Sequence, residues 1–487
     1  MSMTPFERDR AIGMWGLALC MLAVAAGWML MRFGISWSIA DLPESEHMIR
    51  IIPAYIISEV AVIPLGAKLA DLMGVKRVLL FGPIIFILSS ILCIVSVNAE
   101  MLIAFRFIQG IGGGILLGMI FTAVGRYYEP DKRNKCHELM TASFAIGSLF
   151  ASAAGYFLTD TFNWRAGFVL LAVMMLIGTV IAWRLLPEDE GSNERPDRLN
   201  LILVTLLFGV AAYYTQSVNV DYALLSVPSI LVVAVIIVLL VLTMWNSKRS
   251  SNPTIPVGIS GFEKKLIILM FLFSMCGLGL IQYYFKLYLT FYEFDIYSAS
   301  FNFMILILGA AAPSIIGCKL VMKTGVMPWV TVGAVFVTIS LLMTHFLIDQ
   351  GTEYFALCLF VFGFGLGMIV TEIIISMQGI TAKKDLGQHT GNLMAVRMIG
   401  ILVGNAVVGA YIKEVVNANY VPTIIDISTA DSLIGSMVST FGDNFKYTSQ
   451  ALDMGFTTTA LIMAVVTAIL VVIAYTLRKY DLENRQE

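Results

Sequence analysis

The sequence has little charge for its length. Of its 487 residues, only 13% are Asp, Glu, Lys or Arg and 58% are hydrophobic, whereas average soluble domains carry about 25% charged residues. So few charged side chains cannot cover the surface of a soluble protein of this size. The 31 Lys and Arg residues are balanced by 33 Asp and Glu residues, so nothing indicates a nucleic-acid partner. The composition predicts an all-α protein that crosses a lipid bilayer many times.

Cysteine and histidine are also scarce. The six cysteines fall in or beside apolar runs or in a basic loop, so we expect free thiols and no disulfide framework. The four histidines fall at span ends or in loops, where we expect solvated side chains rather than metal ligands; they are His47, His137, His345 and His389. The patterns GxxxxGKS/T, HExxH and GxSxG are absent. We therefore predict no enzyme, no metal and no bound cofactor.

Apolar runs of bilayer length predict fourteen transmembrane helices. The seventh and eighth are the least regular, but a twelve-span chain would need both on the membrane surface, and neither has a face rich in Lys or Arg. The predicted spans are 11–36, 48–67, 78–98, 100–124, 138–158, 166–186, 199–217, 222–246, 264–290, 298–321, 327–348, 354–379, 388–413 and 455–478.

The Lys and Arg residues alternate between loops in a way that sets the orientation. Most of them fall in segments on one side when fourteen spans are drawn, which places both termini in the cytoplasm. The first apolar run is longer than a signal-peptide core and is interpreted as a retained span. The short loops favour a prokaryotic cytoplasmic membrane.

Two polar, proline-containing segments, 187–198 and 247–263, bracket spans seven and eight. They divide the chain into an N-terminal six-helix bundle (1–186), a linker with two extra transmembrane helices (187–263) and a C-terminal six-helix bundle (264–487). The two bundles also share a sequence repeat. Residues 66–75 (GAKLADLMGV) match 317–326 (GCKLVMKTGV). Glycines of the fourth spans and of the fifth spans also recur, pairing 110, 112, 114 and 147 with 363, 365, 367 and 400.

These motifs resemble those of the major facilitator superfamily, in particular its fourteen-span drug:proton antiporter branch. The loop after span two, LADLMGVKR at 69–77, is similar to the family's cytoplasmic signature, and RFIQGIG at 106–112 is similar to its buried-arginine motif. Asn163-Trp164-Arg165 before span six is also typical of the branch. A glycine motif in span five and its repeat in span thirteen indicate close helix packing; its members are Gly147, Gly155, Gly400 and Gly404.

The resemblance implies two pseudosymmetric six-helix bundles with two extra central helices, in a monomer that works by alternating access. It implies export of small amphipathic organic compounds, as in multidrug efflux, driven by protons as the coupling ion. It also assigns a conformational latch to the loop after span two. The latch residues are Asp71, Gly74, Lys76 and Arg77.

Ionisable residues inside spans carry the chemical hypothesis, because each costs at least about 2.5–3.5 kcal/mol to insert. We expect them to line a substrate or proton pathway together with Tyr55, which shares a helix face with Glu59, and Gln109, which follows Arg106. The ionisable residues inside spans are Arg32, Glu59, Arg106, Lys286, Glu372 and Arg397. Proton coupling requires that the carboxylates reach solvent-accessible space, so enclosure of both Glu59 and Glu372 would argue against it.

Several alternatives remain open at this point. The carboxylates could form structural ion pairs, Glu59 with Arg32 or Arg106, and Glu372 with Arg397 or Lys286. The excess of basic over acidic groups also suits a symporter or uniporter for an organic anion or zwitterion. A non-transporting sensor or lipid-handling protein is a third possibility. Trp28 and Lys286 suit either a cavity wall or an interfacial belt, and Trp37 suits the belt.

Overall fold

The structure is a computed structural model in which nearly all described residues are helical. Thirteen helices are described, and eleven of them are long and apolar enough to cross a membrane. The described residues are 5–42, 50–192, 194–218, 221–222, 226–250, 252–255, 261–275, 305–306, 308–310, 313, 326–347, 352–382, 385–419 and 442–483.

The first eight helices follow the predicted spans in order. They are α1 (Pro5–Asp41), α2 (Ile51–Met73), α3 (Val75–Ile94), α4 (Ala99–Tyr127), α5 (Pro130–Thr161), α6 (Arg165–Leu185), α7 (Arg198–Ser217) and α8 (Val227–Arg249). Asn98 caps α4 by accepting from the Met101 backbone N–H at 2.8 Å. Pro130 opens α5, where a missing N–H costs nothing.

The remaining described helices are α9 (Gly261–Phe273), α10 (Val326–Leu347), α11 (Thr352–Ile380), α12 (Leu386–Asn419) and α13 (Gly442–Glu483). They correspond to predicted spans nine and eleven to fourteen. Most of predicted span ten, 298–321, lies outside the described residues. The eleven candidate spans are consistent with fourteen, and the all-α fold is confirmed.

The chain divides into two compact units. Unit 1 comprises Met1–Tyr213, Ile236–Ser260 and Ile374–Ala395, and unit 2 comprises Tyr214–Val235, Gly261–Ile373 and Val396–Glu487. The three predicted domains, with boundaries at 186/187 and 263/264, stay a prediction.

Glycines bring α2 and α4 of unit 1 into backbone contact. A Cβ on Gly114 would lie 2.2 Å from the Glu59 carbonyl oxygen, and one on Gly118 would lie 2.2 Å from that of Ile63. No side chain fits at such distances, so α4 needs glycine wherever it crosses α2. Gly112 similarly faces α3, where its Cβ would meet the Phe86 backbone nitrogen at 2.6 Å.

The same contacts occur in unit 2. A Cβ on Gly363 would lie 2.0 Å from the Leu306 carbonyl oxygen, and one on Gly367 would lie 2.2 Å from that of Ala310. A Cβ on Gly365 would lie 2.6 Å from the Gly333 carbonyl oxygen of α10, just as one on Gly112 would meet the backbone of α3. The glycine repeat therefore reports equivalent helix crossings in the two halves of the sequence.

Candidate functional site

Unit 1 contains a buried carboxylate, that of Glu59. Its side chain on α2 is 0% exposed. The Trp28 indole N–H of α1 donates to one carboxylate oxygen, and the Tyr55 hydroxyl donates to the other at 3.3 Å. Tyr55 lies one turn before Glu59 on α2. The two side chains share a helix face, as predicted, and on that face the tyrosine bonds to the carboxylate. Gly113 leaves the space for this pair, since its Cβ would lie 2.7 Å from the Tyr55 hydroxyl.

Arg106 of α4 lies on the other side of Tyr55. Its guanidinium stacks over the Tyr55 ring with 4.2 Å between the guanidinium carbon and the ring centroid. One terminal nitrogen donates to the Gln109 side-chain oxygen at 2.6 Å, and the other donates to the Gly27 carbonyl at 3.0 Å. Gln109 in turn donates to the Ser90 hydroxyl at 2.6 Å. Four helices, α1 to α4, thus contribute to one buried polar network.

This network bears on two alternatives that the sequence left open, the ion-pair partner of Glu59 and the location of Trp28. Glu59 and Arg106 form no direct ion pair, because Tyr55 lies between them. The alternative pair with Arg32 involves a side chain outside the described ones. Trp28 is 4% exposed and bonds to Glu59, so an interfacial-belt role is wrong for Trp28. Trp37 lies in α1, but its side chain also lies outside those described.

The other predicted site residues are only partly placed. Glu372 lies on α11 and is 6% exposed. Arg397 lies on α12 and is half-buried. Both residues belong to unit 2. Lys286 lies outside the described residues. The structure therefore brings together Tyr55, Glu59, Arg106 and Gln109 in unit 1.

Asp71, the predicted latch residue, caps the beginning of α12. Its carboxylate accepts from the backbone N–H groups of Gly387 at 3.0 Å and Gln388 at 2.6 Å. These N–H groups belong to the first turn of α12, whose dipole also favours a negative charge. The prediction of a loop at Asp71 is wrong, because α2 continues to Met73 and Asp71 lies in its last turn. The chain turns instead at Gly74, whose φ of +87° favours glycine.

Arg126 of α4 forms an ion pair with Asp71, whereas the other charged residues of the predicted latch, Lys76 and Arg77, lie elsewhere. Arg126 donates to Asp71 at 3.1 Å and to Asp189 at 3.0 Å. Lys76 lies over the Trp183 ring at 5.9 Å, and Arg77 is exposed. Sequence reasoning missed Arg126 and Asp189, since neither belongs to the motif at 69–77.

Asp189 also fastens the polar segment after α6 to the turn between α2 and α3. Its carboxylate accepts from the Val75 backbone N–H at 3.0 Å and from the Tyr127 hydroxyl at 2.9 Å. The backbone of Ser192 donates to the Asp71 carbonyl at 2.9 Å. In the sequence, Asp189 stands out only as an acidic residue shortly after Pro187, at the start of the predicted linker.

Gln378 joins four helix ends at the same side of unit 1. It bonds to His137 of α5 at 2.8 Å, to Thr390 of α12 at 3.2 Å and to the Phe121 carbonyl of α4 at 3.1 Å. His137 is fully buried, so the prediction of a solvated side chain is wrong for it. Burial lowers the pKa of His137, one residue before predicted span five, to about 4.

The predicted packing glycines lie on α5 and α12, and two of them make close contacts with neighbouring helices. A Cβ on Gly147 of α5 would lie 2.4 Å from the Leu22 carbonyl oxygen of α1, and one on Gly400 of α12 would lie 2.6 Å from that of Phe271 in α9. Gly404 is buried in α12. Gly155 lies in α5, but its surroundings lie outside those described. At Gly147 and Gly400 the helix contact is close enough to require glycine.

Among the described residues, no group of three or more His, Cys, Asp or Glu side chains could hold a metal ion. The described cysteines, Cys20, Cys93, Cys136 and Cys358, are free thiols.

Comparisons with known proteins agree with this architecture. A model of the Major Facilitator Superfamily matches residues 17–405. The multidrug transporter protein MdtP of Bacillus subtilis (strain 168) is 25% identical over 426 residues, which cover 83% of this chain and 75% of that protein.

Two solved structures share the fold. The human organic anion transporter MFSD10 gives a TM-score of 0.63 at 14% identity, over 96% of this chain and 100% of that chain. The proton:xylose symporter XylE gives a TM-score of 0.63 at 11% identity, over 97% of this chain and 96% of that chain. The family resemblance inferred from the motifs is confirmed, and so is the prediction of a multi-pass membrane transporter for small molecules. The chain belongs to the major facilitator superfamily, a family of transporters and not of enzymes.

Proposed function

We propose that this protein is a proton-coupled exporter of small amphipathic organic compounds that works by alternating access. It acts as a monomer in the cytoplasmic membrane, with both termini in the cytoplasm and with no cofactor besides the protons it carries. The observation that carries the proposal is the Glu59 carboxylate, which is buried and bonded by Trp28 and Tyr55 beside the Arg106 guanidinium.

Glu59 has the surroundings that a proton carrier needs. Removal from water penalises its charged form, whereas two hydrogen bonds and a nearby guanidinium favour that form. When such opposed influences nearly balance, a small rearrangement of α1, α2 or α4 adds or removes a proton. Glu59 and Glu372 are both buried in this conformation, against the expectation that they reach solvent-accessible space. The proposal therefore requires a second conformation in which at least one of these carboxylates meets water.

Asp71 supplies a contact that a conformational cycle can open and close. It joins α2 to the first turn of α12, which the sequence places in different six-span blocks. A carboxylate on two helix-terminal N–H groups is a charge-assisted contact, but it involves few atoms and can be replaced by water. We assign to this contact the latch function that the family resemblance implies.

The amphipathic substrate class rests on two points. A cavity of about 550 Å³ lies between the first residues of α2 and α4, with the charged side chains of Arg50 and Glu100 beside the apolar side chains of Ile103, Phe107 and Ile108. Such a lining accommodates a molecule with one polar and one apolar end. MdtP, which covers most of this chain, is a multidrug transporter.

A second candidate is a symporter or uniporter for an organic anion on the same fold. The observation in its favour is Arg106, which is fully buried and whose Nε atom has no hydrogen-bond partner. A buried guanidinium with an unused donor suits an anionic substrate. MFSD10, which shares the fold, is an organic anion transporter.

The test is transport by purified protein in proteoliposomes with an imposed pH gradient. Cationic, anionic and zwitterionic amphiphiles are assayed separately in both gradient directions. We expect accumulation against the direction of proton flow, lost in Glu59→Gln, in Glu372→Gln or in both, while downhill exchange and folding are retained. Accumulation along the proton flow identifies the symporter. Gradient-driven export by both variants at the parental rate overturns the proton-coupling proposal.

A further inference from the structure

The two extra helices, α7 and α8, meet at a fully buried asparagine. The Asn200 side-chain nitrogen donates to the Asn246 side-chain oxygen and to the Ser247 hydroxyl, both at 2.8 Å. Its side-chain oxygen accepts from the Thr254 backbone N–H at 2.7 Å. Asn200 at the start of α7 thereby fixes both the end of α8 and the segment that follows α8.

That segment, residues 252–254, contacts α12. The Asn392 side chain on α12 donates to the Thr254 carbonyl at 2.8 Å. Asn392 lies about one turn beyond Gln388, whose N–H bonds to Asp71. The first turns of α12 are therefore held at two separate heights, by α2 at Gln388 and by the extra helix pair at Asn392.

Lys68 joins the two attachments. It lies one turn before Asp71 on α2, and its ammonium group donates to the Gln388 side-chain oxygen at 2.6 Å and to the Pro253 carbonyl at 3.3 Å. It also donates to the Asn252 side-chain oxygen. One cation thus satisfies acceptors on α12 and on segment 252–254. Gly391 allows this approach, since its Cβ would lie 2.3 Å from that of Ala67.

We propose that the extra helix pair is a second clasp on α12: Asn200 holds segment 252–254, which holds Asn392 and so positions the α12 N-terminus for Asp71. Asn200 and Asn392 are positioning residues that act through Asp71. The inference rests on the proposed function, in which the contact between Asp71 and α12 opens and closes during transport. It gives the extra helices a part in that step, since α12 can leave α2 only by breaking the bond between Asn392 and Thr254 or by moving together with segment 252–254.

The experiment measures how often α12 separates from its partners. Thr390 on α12 is fully buried, so Thr390→Cys, in a variant with all six native cysteines replaced by serine or alanine, is a reporter. Its reaction rate with a hydrophilic maleimide is measured in lipid nanodiscs, where both faces of the protein are accessible. Asn200→Leu removes the clasp bonds at α7, and Asn392→Leu removes the clasp bond at α12. The second variant tests the proposal if the first does not fold. Asp71→Asn weakens the latch itself.

Two variants serve as controls. Ser229→Ala removes the bond between Ser229 and Tyr214, which joins the end of α7 to the start of α8, opposite the ends that Asn200 joins. Asn200→Asp retains the oxygen that accepts from Thr254. Its second oxygen can accept from the Ser247 hydroxyl, which turns to donate, and from the Asn246 side-chain amide, which flips to present its NH2 group. We expect Asn200→Leu and Asn392→Leu to raise the labelling rate about tenfold, as loss of a buried hydrogen bond implies. Ser229→Ala and Asn200→Asp should stay near the parental rate.

The outcomes separate the clasp from the latch. Faster labelling in Asp71→Asn, with parental rates in both leucine variants, overturns the clasp and leaves the latch standing. A parental rate in Asp71→Asn overturns the proposed latch role of that residue. Equally fast labelling in Ser229→Ala or Asn200→Asp also overturns the clasp, because it would show general loosening of the helix pair.

Discussion

The two halves of the sequence cross their helices in the same way but bury different side chains there. Gly110 approaches the Tyr55 carbonyl as Gly363 approaches that of Leu306, with Cβ distances of 2.2 and 2.0 Å. Gly114 and Gly367 make the next pair, against Glu59 and Ala310. The backbone geometry is thus shared between the halves.

The side chains around these crossings are not shared. Tyr55 and Glu59 correspond to Leu306 and Ala310, and with the offset of the glycine repeat Arg106 corresponds to Leu359. At these positions the first half has a hydrogen-bonded polar network and the second has apolar packing. The glycines therefore account for the shared helix crossings, whereas the polar network of α2 and α4 occupies these positions in the first half.

The largest expected effect tests the shared backbone. Gly114→Val and Gly367→Val place a branched side chain against a carbonyl oxygen, so each should lower the free energy of unfolding by at least about 3 kcal/mol or prevent folding. Thermal unfolding in detergent measures this loss. Gly379→Ala is the control, because a Cβ at Gly379 would have no atom within 4 Å apart from its own helix backbone. A tolerated valine at one position alone would show that the two crossings are not equivalent.

The next effect tests the difference between the halves. Arg106→Met leaves the Gln109 and Gly27 oxygens without their donor, and should reduce transport in proteoliposomes at least about 100-fold. Leu359→Met, at the corresponding position of the second half, should change transport less than about twofold. Similar losses in both variants would mean that packing, rather than the buried cation, limits transport.

A smaller effect isolates the hydrogen bond to Glu59. Trp28→Phe retains an aromatic ring but removes the indole N–H that bonds to Glu59. We expect about a tenfold reduction of gradient-driven transport, as one charge-assisted hydrogen bond implies, with folding retained. The control is Trp15→Phe, which changes a tryptophan of the same helix whose side chain is 63% exposed and should leave transport nearly unchanged. Equal rates in the Trp28 variant and the parent would remove Trp28 from the coupling site.

The last comparison concerns pH and stability. With the repeat offset, His137 corresponds to Thr390, which does not titrate. Burial, opposed by the bond to Gln378 and helped by Arg133, lowers the pKa of His137 to about 4. The unfolded chain therefore takes up a proton first, and stability falls as pH decreases from about 6.5 towards 4.

At pH 5 the loss attributable to His137 should be about 2 kcal/mol relative to pH 8. Thermal unfolding of the parent and of His137→Gln at both pH values measures it, since the variant lacks the titrating group. An identical pH dependence in the two proteins would show that His137 does not titrate between its folded and unfolded states.

Sequence reasoning predicted the scaffold well and the site in part. Span positions followed from apolar runs, because a bilayer requires about 20 apolar residues per helix. The helix crossings followed from the glycine repeat, because close backbone approach tolerates only small residues. Tyr55 and Glu59 were paired correctly, since residues four apart share a helix face.

The remaining contacts could not be read from local patterns. Arg126 meets Asp71, and Asp189 meets both Arg126 and the turn after α2, over separations of 55 to 114 residues. Trp28 could be assigned to a belt or a cavity until its partner was known. The extended end of α2 depended on Gly74, which is a helix stop only where the chain adopts a positive φ.

The amino-acid sequence alone determined that this is a membrane-spanning helical protein with two repeated halves, because the bilayer and close helix packing restrict composition and spacing at every position. Tertiary structure alone decided which ionisable groups meet. A hydrogen bond depends on distances of about 3 Å between atoms that can be hundreds of residues apart. For this reason, only the tertiary structure shows that Asp71 bonds to the start of α12 and that Asn200 bonds to segment 252–254.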